Sequence, residues 1–371
     1  MIKVKLSSLA TALGLVLSVS VAQAEVVKIA VVSPFTGPVT QYGHMTRDGV
    51  MTAIEKINAE GGINGNTFEM VVVDDACEPK QGPTAANTVV NQQIGFVIGP
   101  FCSGAIMGAA PIFNEQGVVM ITPGGTSPTV TAGKNYETVF RSIGRDDQQA
   151  PVAAKYVMEK VKPTKIAVLH DKQTYGQGVA TYTRDNLKQL GGNVVIFEGI
   201  NAGESDYSSV ITKMKSAGID FVFYGGLYPE LGLLLRQARE QGLKAQFMSA
   251  EGAVGTDLNA VAGDAVEGLL VTLSPDFSLK PENAAITKLF QEKGRDPSGT
   301  FQMTAYAGVQ SIAAGIKATN STDPIEVAKW LHGNKVDSVV GQLSWEPSGD
   351  LTSFDFQVFT WHKDGTRTLM K

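Results

Sequence analysis

The sequence predicts an α/β protein built from two similar lobes, each a parallel sheet wrapped by crossover helices. Apolar, β-rich runs alternate with segments of helical period, and this alternation restarts at Lys165 after a first complete set. The chain has 371 residues, which is longer than a single hydrophobic core readily fills. The pattern and the length together indicate two cores rather than one.

The first 24 residues, MIKVKLSSLATALGLVLSVSVAQA, have the pattern of a signal peptide. Lys3 and Lys5 precede an apolar run, and Ala22 and Ala24 match a small-residue cleavage site. The alternative, an uncleaved membrane anchor, is disfavoured because the run is shorter than the about 18 to 20 residues of a membrane span. We therefore expect residues 1–24 to be removed and the mature chain to lie outside the cytoplasm.

In the first half of the mature chain, four apolar runs predict buried strands, and three segments between them predict helices. The strands are expected at 26–32 (VVKIAVV), 69–73 (EMVVV), 95–98 (GFVI) and 118–121 (VVMI). The helices are expected at 46–58, 80–91 and 105–115. Strands that alternate with helices in this way are typical of a parallel sheet wrapped by crossover helices.

The second half repeats this order and then changes. Strands are expected at 165–169, 193–197, 221–224 and 246–248, and helices at 178–190, 207–217 and 230–241. Three further helices are expected at 282–293, 303–318 and 324–331. They are followed by a short strand signal in GQLSWEPSGDL and by an alternating strand at 354–361.

No low-complexity linker separates the lobes, so we expect the chain to cross between them at several short points that form a hinge. We assign residues 25–144 and 275–353 to the N-terminal lobe. The C-terminal lobe then comprises 145–274 and 354–371. Ligands of open parallel sheets bind beyond the carboxyl ends of the strands, so site residues should directly follow strands and face a cleft between the lobes.

Charge and composition exclude several functions. The formal net charge of −5 becomes −7 without Lys3 and Lys5, and no basic cluster is present, so nucleic acid is a poor partner. The four histidines, at 44, 170, 332 and 362, lack the spacing of a metal site. After Ala24, nothing is long and apolar enough to span a membrane.

Motifs of catalysis are also missing. The sequence has no GxSxG nucleophile elbow and no phosphate-binding GxxxxGK[ST] loop. Gly176 and Gly178 follow a predicted strand, but Thr181 stands where a dinucleotide fingerprint needs its third glycine. We therefore expect no metal, no cofactor and no enzymatic activity.

The chain has two cysteines, Cys77 and Cys102. In an exported protein an even pair favours a disulfide over metal binding or redox chemistry, and two free buried thiols are the alternative. Their separation of 25 positions would contribute about 3 to 4 kcal/mol through loop entropy.

The remaining polar residues after strands suit a small zwitterion. A carboxylate is favoured by hydroxyls and by the N–H groups at a helix N-terminus. Ser103 opens a helical stretch and Thr126 lies in the loop PGGTSP. The structural alternatives are helix capping by Ser103 and an ordinary turn at PGGTSP.

An α-ammonium group needs a carboxylate and carbonyl oxygens. Glu251 follows a predicted strand of the second lobe, and Gly124 or Gly125 offers a carbonyl without a crowding Cβ. The alternative for Glu251 is a solvated loop acid. Aromatic side chains for the apolar part of a ligand are available, although they could instead pack the lobes together; these are Tyr42, Tyr175 and Phe301.

Nine segments together resemble a known family, the leucine/isoleucine/valine-binding periplasmic proteins of ABC transporters, over nearly all of the chain after Ala24. They are GPVTQYG (37–43), INAEGGINGN (57–66), VDDACEPKQ (73–81), VIGPFCS (97–103), MITPGGTSP (120–128), HDKQTYGQG (170–178), LLRQAREQGL (234–243), FMSAEG (247–252) and DPSGTF (296–301). Their combination and order are far more specific than any one segment.

The resemblance implies a type I periplasmic binding protein: two Rossmann-like lobes closing around one amino acid, a Cys77–Cys102 disulfide, and delivery of the ligand to permease subunits in the inner membrane. It implies a monomer in the periplasm. It assigns the ligand carboxylate to Ser103 and Thr126, and the ammonium group to the Gly124 carbonyl, Thr126 and Glu251. The implied pocket lining is Tyr42, Cys102, Tyr175 and Phe301.

Two positions depart from the family pattern. Phe101 stands where a smaller aliphatic residue is usual, and Leu227 stands where tyrosine is frequent, with Tyr228 after it. A larger side chain at 101 would reduce the room for the ligand side chain. Alanine, valine, proline or γ-aminobutyrate would then be preferred over leucine and isoleucine. A sensory ligand-binding domain on the same fold is a further alternative, whereas an enzyme is disfavoured.

Overall fold

A computed structural model of the protein describes residues 25–253 and 255–371. The predicted signal peptide, residues 1–24, lies outside the described residues. In the described part of the chain, no helix combines the length and apolarity of a membrane span.

The first sheet has five strands, all parallel. Their order across the sheet is β2-β1-β3-β4-β5. In chain order they are β1 (Val26–Ser33), β2 (Thr67–Asp74), β3 (Phe96–Ile98), β4 (Val119–Thr122) and β5 (Val139–Arg141). β3 and β4 are buried along their whole length, because helices cover both faces of a parallel sheet.

Six helices accompany this sheet. Three lie between its strands: α1 (Thr40–Ala59), α2 (Gly82–Asn91) and α3 (Ser103–Glu115). The other three come from late in the chain and share an apolar core with β1, β3 and β4: α9 (Ala284–Glu292), α10 (Thr300–Thr319) and α11 (Pro324–Gly333). Residues 284–333 thus return to the first lobe and complete its core, with the short antiparallel pair β11 (Val336–Ser338) and β12 (Gly341–Leu343).

The second sheet has seven strands in the order β14-β13-β10-β9-β8-β6-β7. Five are parallel: β6 (Ile166–His170), β7 (Val194–Gly199), β8 (Phe221–Gly225), β9 (Gln246–Ser249) and β10 (Leu269–Leu273). The last two, β13 (Gln357–Trp361) and β14 (Arg367–Leu369), extend one edge in antiparallel pairing. Its helices are α4 (Asp146–Tyr156), α5 (Thr174–Gln189), α6 (Ser208–Ala217), α7 (Tyr228–Glu240) and α8 (Thr256–Ala262).

The predicted two-lobed α/β fold is confirmed, with one difference in the second sheet, which is mixed rather than wholly parallel. The strand predicted at 354–361 exists as β13, but it runs antiparallel to β10. The prediction omitted β5, β10, β11 and β14, and it omitted α4 and α8. β5 and β14 have three residues each, which is too short for a periodicity to be recognised.

The chain passes between the two sheets three times. It leaves the first sheet between β5 and α4, returns between β10 and α9, and enters the second sheet again between β12 and β13. The residue boundaries assigned to the lobes remain a prediction.

Candidate functional site

A cavity of about 490 Å³ lies between the lobes, where the carboxyl ends of both sheets meet. Its walls include the loops and helix starts that follow β3, β4, β6, β8 and β9. Eight of the ten predicted site residues line it: Phe101, Cys102, Ser103, Gly124, Tyr175, Leu227, Glu251 and Phe301. Tyr42 and Thr126 lie directly behind the lining and are fully buried.

Ser103 is the first residue of α3 and one wall of the cavity. Its hydroxyl oxygen accepts the N–H of Ser127 at 3.3 Å, which leaves its own proton to donate into the cavity. The N-cap of α3 is Cys102, which caps no N–H with its side chain, so capping by Ser103 is not the explanation for this residue. The start of α3 therefore presents a hydroxyl and helix N–H groups to the cavity, a combination that suits an anion.

A disulfide joins Cys77 to Cys102, with 5.3 Å between their Cα atoms, and both cysteines line the cavity. The predicted pairing is confirmed. The bond anchors the segment after β2 to the residue that precedes Ser103, and so fixes the entry of the chain into α3.

The loop after β4 supplies the facing wall. Thr122 accepts the N–H of Gly125 at 2.9 Å and donates to the Pro100 carbonyl at 2.8 Å, which fixes this loop against the start of α3. A Cβ on Gly124 would lie 2.3 Å from the Phe101 ring. Glycine is therefore required at 124 as long as Phe101 occupies its present position.

Thr126 connects the two lobes. Its Oγ1 donates to Oε1 of Glu251 at 3.0 Å, and Gln149 of α4 donates to the other carboxylate oxygen of Glu251. Glu251 is 2% exposed, so it is a buried acid and not a solvated loop residue. No basic group of the described residues pairs with it.

A second buried carboxyl group, Asp146, lies beside Glu251. Asp146 is fully buried, its N–H donates to the Thr126 carbonyl at 3.0 Å, and neither carboxyl oxygen has a hydrogen-bond partner among the described residues. Burial raises the pKa of Asp146 well above its ordinary value, and the charge of Glu251 raises it further. Burial likewise raises the pKa of Glu251. The two acids thus lie side by side in the interior, and the charge of the Arg141 guanidinium acts on Asp146 in the opposite direction.

Aromatic rings form the wall next to this polar group. Phe101 stacks on Tyr42 with 4.7 Å between ring centroids and an interplanar angle of 9°. Phe301 meets the edge of both rings, at 4.6 Å from Phe101 and 5.7 Å from Tyr42. These rings belong to the first lobe but share a core with Leu231 and Leu235 of the second, so they also pack the lobes together.

Two tyrosines hold the peptide of Gly252. Tyr42 donates to its carbonyl at 2.5 Å from the first lobe, and its N–H donates to the Tyr175 hydroxyl at 3.1 Å within the second. A Cβ on residue 252 would lie 2.5 Å from the Tyr175 ring. Tyr228 adds another contact between the lobes by donating to the Pro38 carbonyl at 2.8 Å. The lobes are thus closed on each other around the cavity.

The sequence analysis missed three residues of this site: Asp146, Gln149 and Arg141. Arg141 is fully buried and donates to the carbonyls of Gly125 and Ser127, on either side of Thr126. The signal for Asp146 and Gln149 was the acidic and amide run DDQQ at 146–149. That run was not recognised as a position after a strand, because β5 was not predicted.

Metal binding finds no support in the described ranges, where no three histidine, cysteine or acidic side chains are grouped as metal ligands. Asp146 and Glu251 are only two, and Glu251 is already bonded to Thr126 and Gln149.

A family model described as periplasmic binding protein matches residues 26–366. The chain is 47% identical to the leucine-, isoleucine-, valine-, threonine- and alanine-binding protein of Pseudomonas aeruginosa, covering 94% of this chain and 93% of the relative. It is 48% identical to the Leu/Ile/Val-binding protein of Escherichia coli K12, covering 94% of each.

Solved structures give the same result. The leucine-binding protein LivK from Thermotoga maritima superposes with a TM-score of 0.85 at 26% identity, covering 93% of this chain and 98% of that one. LivJ from Streptococcus pneumoniae, a branched-chain amino acid transporter substrate-binding protein in complex with isoleucine, superposes with a TM-score of 0.83 at 25% identity. It covers 93% of this chain and 99% of the other. Because the family model and these relatives extend over nearly the whole length, the chain belongs to the periplasmic binding protein family.

Proposed function

We propose that this protein captures an aliphatic α-amino acid of the leucine, isoleucine, valine and alanine class in the periplasm and delivers it to the permease of an ABC transporter. One observation carries the proposal. An apolar cavity brings the hydroxyl of Ser103, at a helix start, within one site with the buried acid Glu251, beside which Asp146 lies. These groups complement the two charges of a zwitterion.

The carboxylate of the ligand is assigned to the start of α3. The hydroxyl of Ser103 and the N–H groups of the first turn donate to it, and the positive end of the helix favours its charge. Glu251 follows β9 of the second sheet and so lies on the opposite lobe.

The ammonium group is assigned to Glu251, the Gly124 carbonyl and Thr126. Asp146 lies beside Glu251, and the charge of Glu251 acts on it. The two acids repel each other when both are charged, so a cation placed beside them relieves the repulsion as it binds. Ligand binding is therefore coupled to ionisation of the pair.

The side chain of the ligand is assigned to the apolar walls formed by Phe101, Phe301, Tyr175 and Leu227. A second candidate ligand class follows from Phe101, whose ring is held by Tyr42 and Phe301 and cannot easily withdraw. Where that ring limits the room, alanine, valine, proline or γ-aminobutyrate would bind more tightly than leucine and isoleucine.

Delivery to a permease rests on the family and on closure of the lobes. The contacts of Tyr42, Tyr228 and Thr126 across the cleft fit a binding protein that opens and closes about three chain crossings. Members of this family are binding proteins, which confirms the prediction that the chain is not an enzyme. We expect it to act as a monomer.

Isothermal titration of the purified protein against the twenty common amino acids and γ-aminobutyrate tests the proposal. Tight binding of at least one aliphatic amino acid, with no binding of acidic or basic ones, is expected. Leucine binding tightest by a wide margin would rule out the small-ligand alternative, and no amino-acid binding would overturn the proposal. Pull-down of a membrane receptor instead of permease subunits would favour a sensor.

A further inference from the structure

A buried ion-pair network joins the ligand-contacting loop of the first lobe to the first crossing between the lobes. It consists of Arg141 at the end of β5, Asp350 after β12, and Arg145 in the crossing itself. Asp350 Oδ1 lies 2.7 Å from Nε of Arg141, and its Oδ2 lies 2.7 Å from Nη1 of Arg145.

Arg141 fixes the loop that carries Thr126. Its guanidinium donates to the carbonyls of Gly125 and Ser127 and, at 3.0 Å, to the hydroxyl of Thr131. The guanidinium is the only side-chain group that holds the main chain on both sides of Thr126 in the described residues. Arg141 therefore fixes the orientation of Thr126 by holding the main chain on the side of the loop away from the cavity.

Arg145 extends the same network into the second lobe. While Nη1 contacts Asp350, Nε and Nη2 donate to the two carboxylate oxygens of Asp147 at 3.0 and 2.5 Å. Asp147 lies in the first turn of α4, next to Asp146 and two residues before Gln149, the donor to Glu251. One guanidinium thus bridges an acid of each lobe beside the groups assigned to the ammonium site.

We infer that Arg145 is a positioning residue for ligand binding, which couples closure of the lobes to the placement of α4 and of the Thr126 loop. This inference rests on the proposed amino-acid binding. Arg145 reaches both acids only when the chain at the crossing has the path seen here, since the planar fork of one guanidinium must meet two carboxylates. The arrangement with the lobes closed is therefore favoured over one in which either contact is broken.

Arg145 is also the member of the network that can be changed without loss of the fold. Its side chain is 28% exposed, whereas those of Arg141 and Asp350 are 0% and 3% exposed. Removing Arg141 would leave Asp350 buried without its main partner, which is strongly destabilising. Arg145→Gln leaves the pair of Arg141 and Asp350 intact.

The test measures leucine and alanine affinity by titration, and compaction on ligand addition by small-angle scattering, for wild type, Arg145→Gln and Arg145→Lys. We expect Arg145→Gln to weaken binding about 2- to 30-fold and to shift the compaction to higher ligand concentration. Arg145→Lys keeps the charge but reaches only one of the two acids. Its affinity for leucine and alanine should therefore lie between those of wild type and Arg145→Gln.

Arg295→Gln is the matched control. Arg295 makes a bidentate pair with Glu55 at 2.8 and 3.0 Å, within the first lobe and away from the cavity. This variant should lose thermal stability and keep wild-type affinity and compaction.

Two results would overturn the inference. Arg145→Gln with wild-type affinity and wild-type compaction would do so alone, as would an equal loss of affinity in Arg295→Gln. A wild-type protein that binds none of leucine, isoleucine, valine and alanine would instead overturn the proposed function, and this inference with it.

Discussion

Thr126 of the first lobe donates its hydroxyl to Glu251 of the second lobe over 3.0 Å, in the interior of the closed cleft. The carboxylate that joins the lobes is thus the one assigned to the ligand ammonium. Its other oxygen is held by Gln149, so Glu251 is positioned by hydrogen bonds and not by a cation.

Replacing Glu251 should weaken ligand binding without lowering the stability of the fold. Glu251→Gln keeps the shape of the side chain and removes its charge, so we expect leucine affinity to fall by about 2 to 5 kcal/mol. The ligand-free protein should unfold at the same or a higher temperature, because the repulsion between Glu251 and Asp146 is removed. Titration and thermal unfolding measure the two effects. Unchanged affinity would remove Glu251 from the site; Glu267→Gln, at an exposed position, is the control.

Ser103→Ala should weaken binding through the ligand carboxylate alone. The lost hydroxyl donor is expected to cost about 1.5 to 3 kcal/mol of affinity, the range for a hydrogen bond to a charged group. Titration with leucine and with leucinamide, which lacks the carboxylate, distinguishes the cause. The variant and wild type should bind leucinamide equally weakly. If the substitution lowered the affinity for leucine and for leucinamide by the same factor, Ser103 would not act through the ligand carboxylate.

Phe101→Leu should change which amino acid binds best. The smaller side chain vacates space next to Gly124, so leucine and isoleucine should gain affinity relative to alanine by about 1 to 3 kcal/mol. Loss of the stacking on Tyr42 should lower the free energy of unfolding by at least about 0.5 kcal/mol. Competition titrations give the ratio of affinities. A ratio equal to that of wild type would show that Phe101 does not set the selectivity.

The stability of the ligand-free protein should depend on Asp171, which is 1% exposed and lines the cavity. Burial raises the pKa of Asp171 from 3.8 to about 7, and the charge of Glu230 adds to this. A carboxyl group whose pKa is higher in the folded state stabilises the fold below its unfolded pKa, and this stability is lost as pH rises to the folded pKa.

Wild type should therefore lose stability relative to Asp171→Asn between about pH 4 and pH 7, by up to about 1.4 kcal/mol per pH unit. Asparagine retains the oxygen that accepts the N–H of Gln173. Urea unfolding of both proteins at several pH values measures the difference. If the unfolding free energies of the two proteins changed in parallel with pH, Asp171 would not titrate in this range.

Removing the disulfide should reduce stability and binding together. The closed loop spans 25 residues, so Cys77→Ser combined with Cys102→Ser should cost about 3 to 4 kcal/mol of unfolding free energy. Leucine affinity should also fall, because Cys102 immediately precedes Ser103 and both line the cavity. Wild-type protein treated with reductant should reproduce both effects; reduced protein of native stability would contradict this account.

Much of the fold and part of the site were predictable because their signals are local. Buried strands such as β3 and β4 are continuous apolar runs, and Ser103, Tyr175 and Glu251 each follow a strand directly. Resemblance to a family added Leu227 and the role of Cys102 in lining the pocket, which periodicity alone does not single out. Each of these strands and residues can be located in the structure. The ligand group assigned to each residue remains a prediction.

The tertiary structure decided what no local signal contains. Asp146 is a site residue only because a three-residue strand, β5, places it beside Glu251, which follows it by 105 positions in the chain. Asp350 meets Arg141 and Arg145 across more than 200 residues. Such contacts depend on how the lobes pack, because burial and ion pairing between distant residues arise only in the folded interior.

The sequence by itself thus determined the α/β class, the two lobes, the cysteine pair and the positions after strands where a ligand would bind. Only the packed structure decided that the second sheet ends in two antiparallel strands, that Thr126 and Tyr42 stand behind the cavity wall, and that two acids share one buried space. The reason is physical: periodicity and turn chemistry act over a few residues, whereas desolvation and ion pairing arise where distant segments meet.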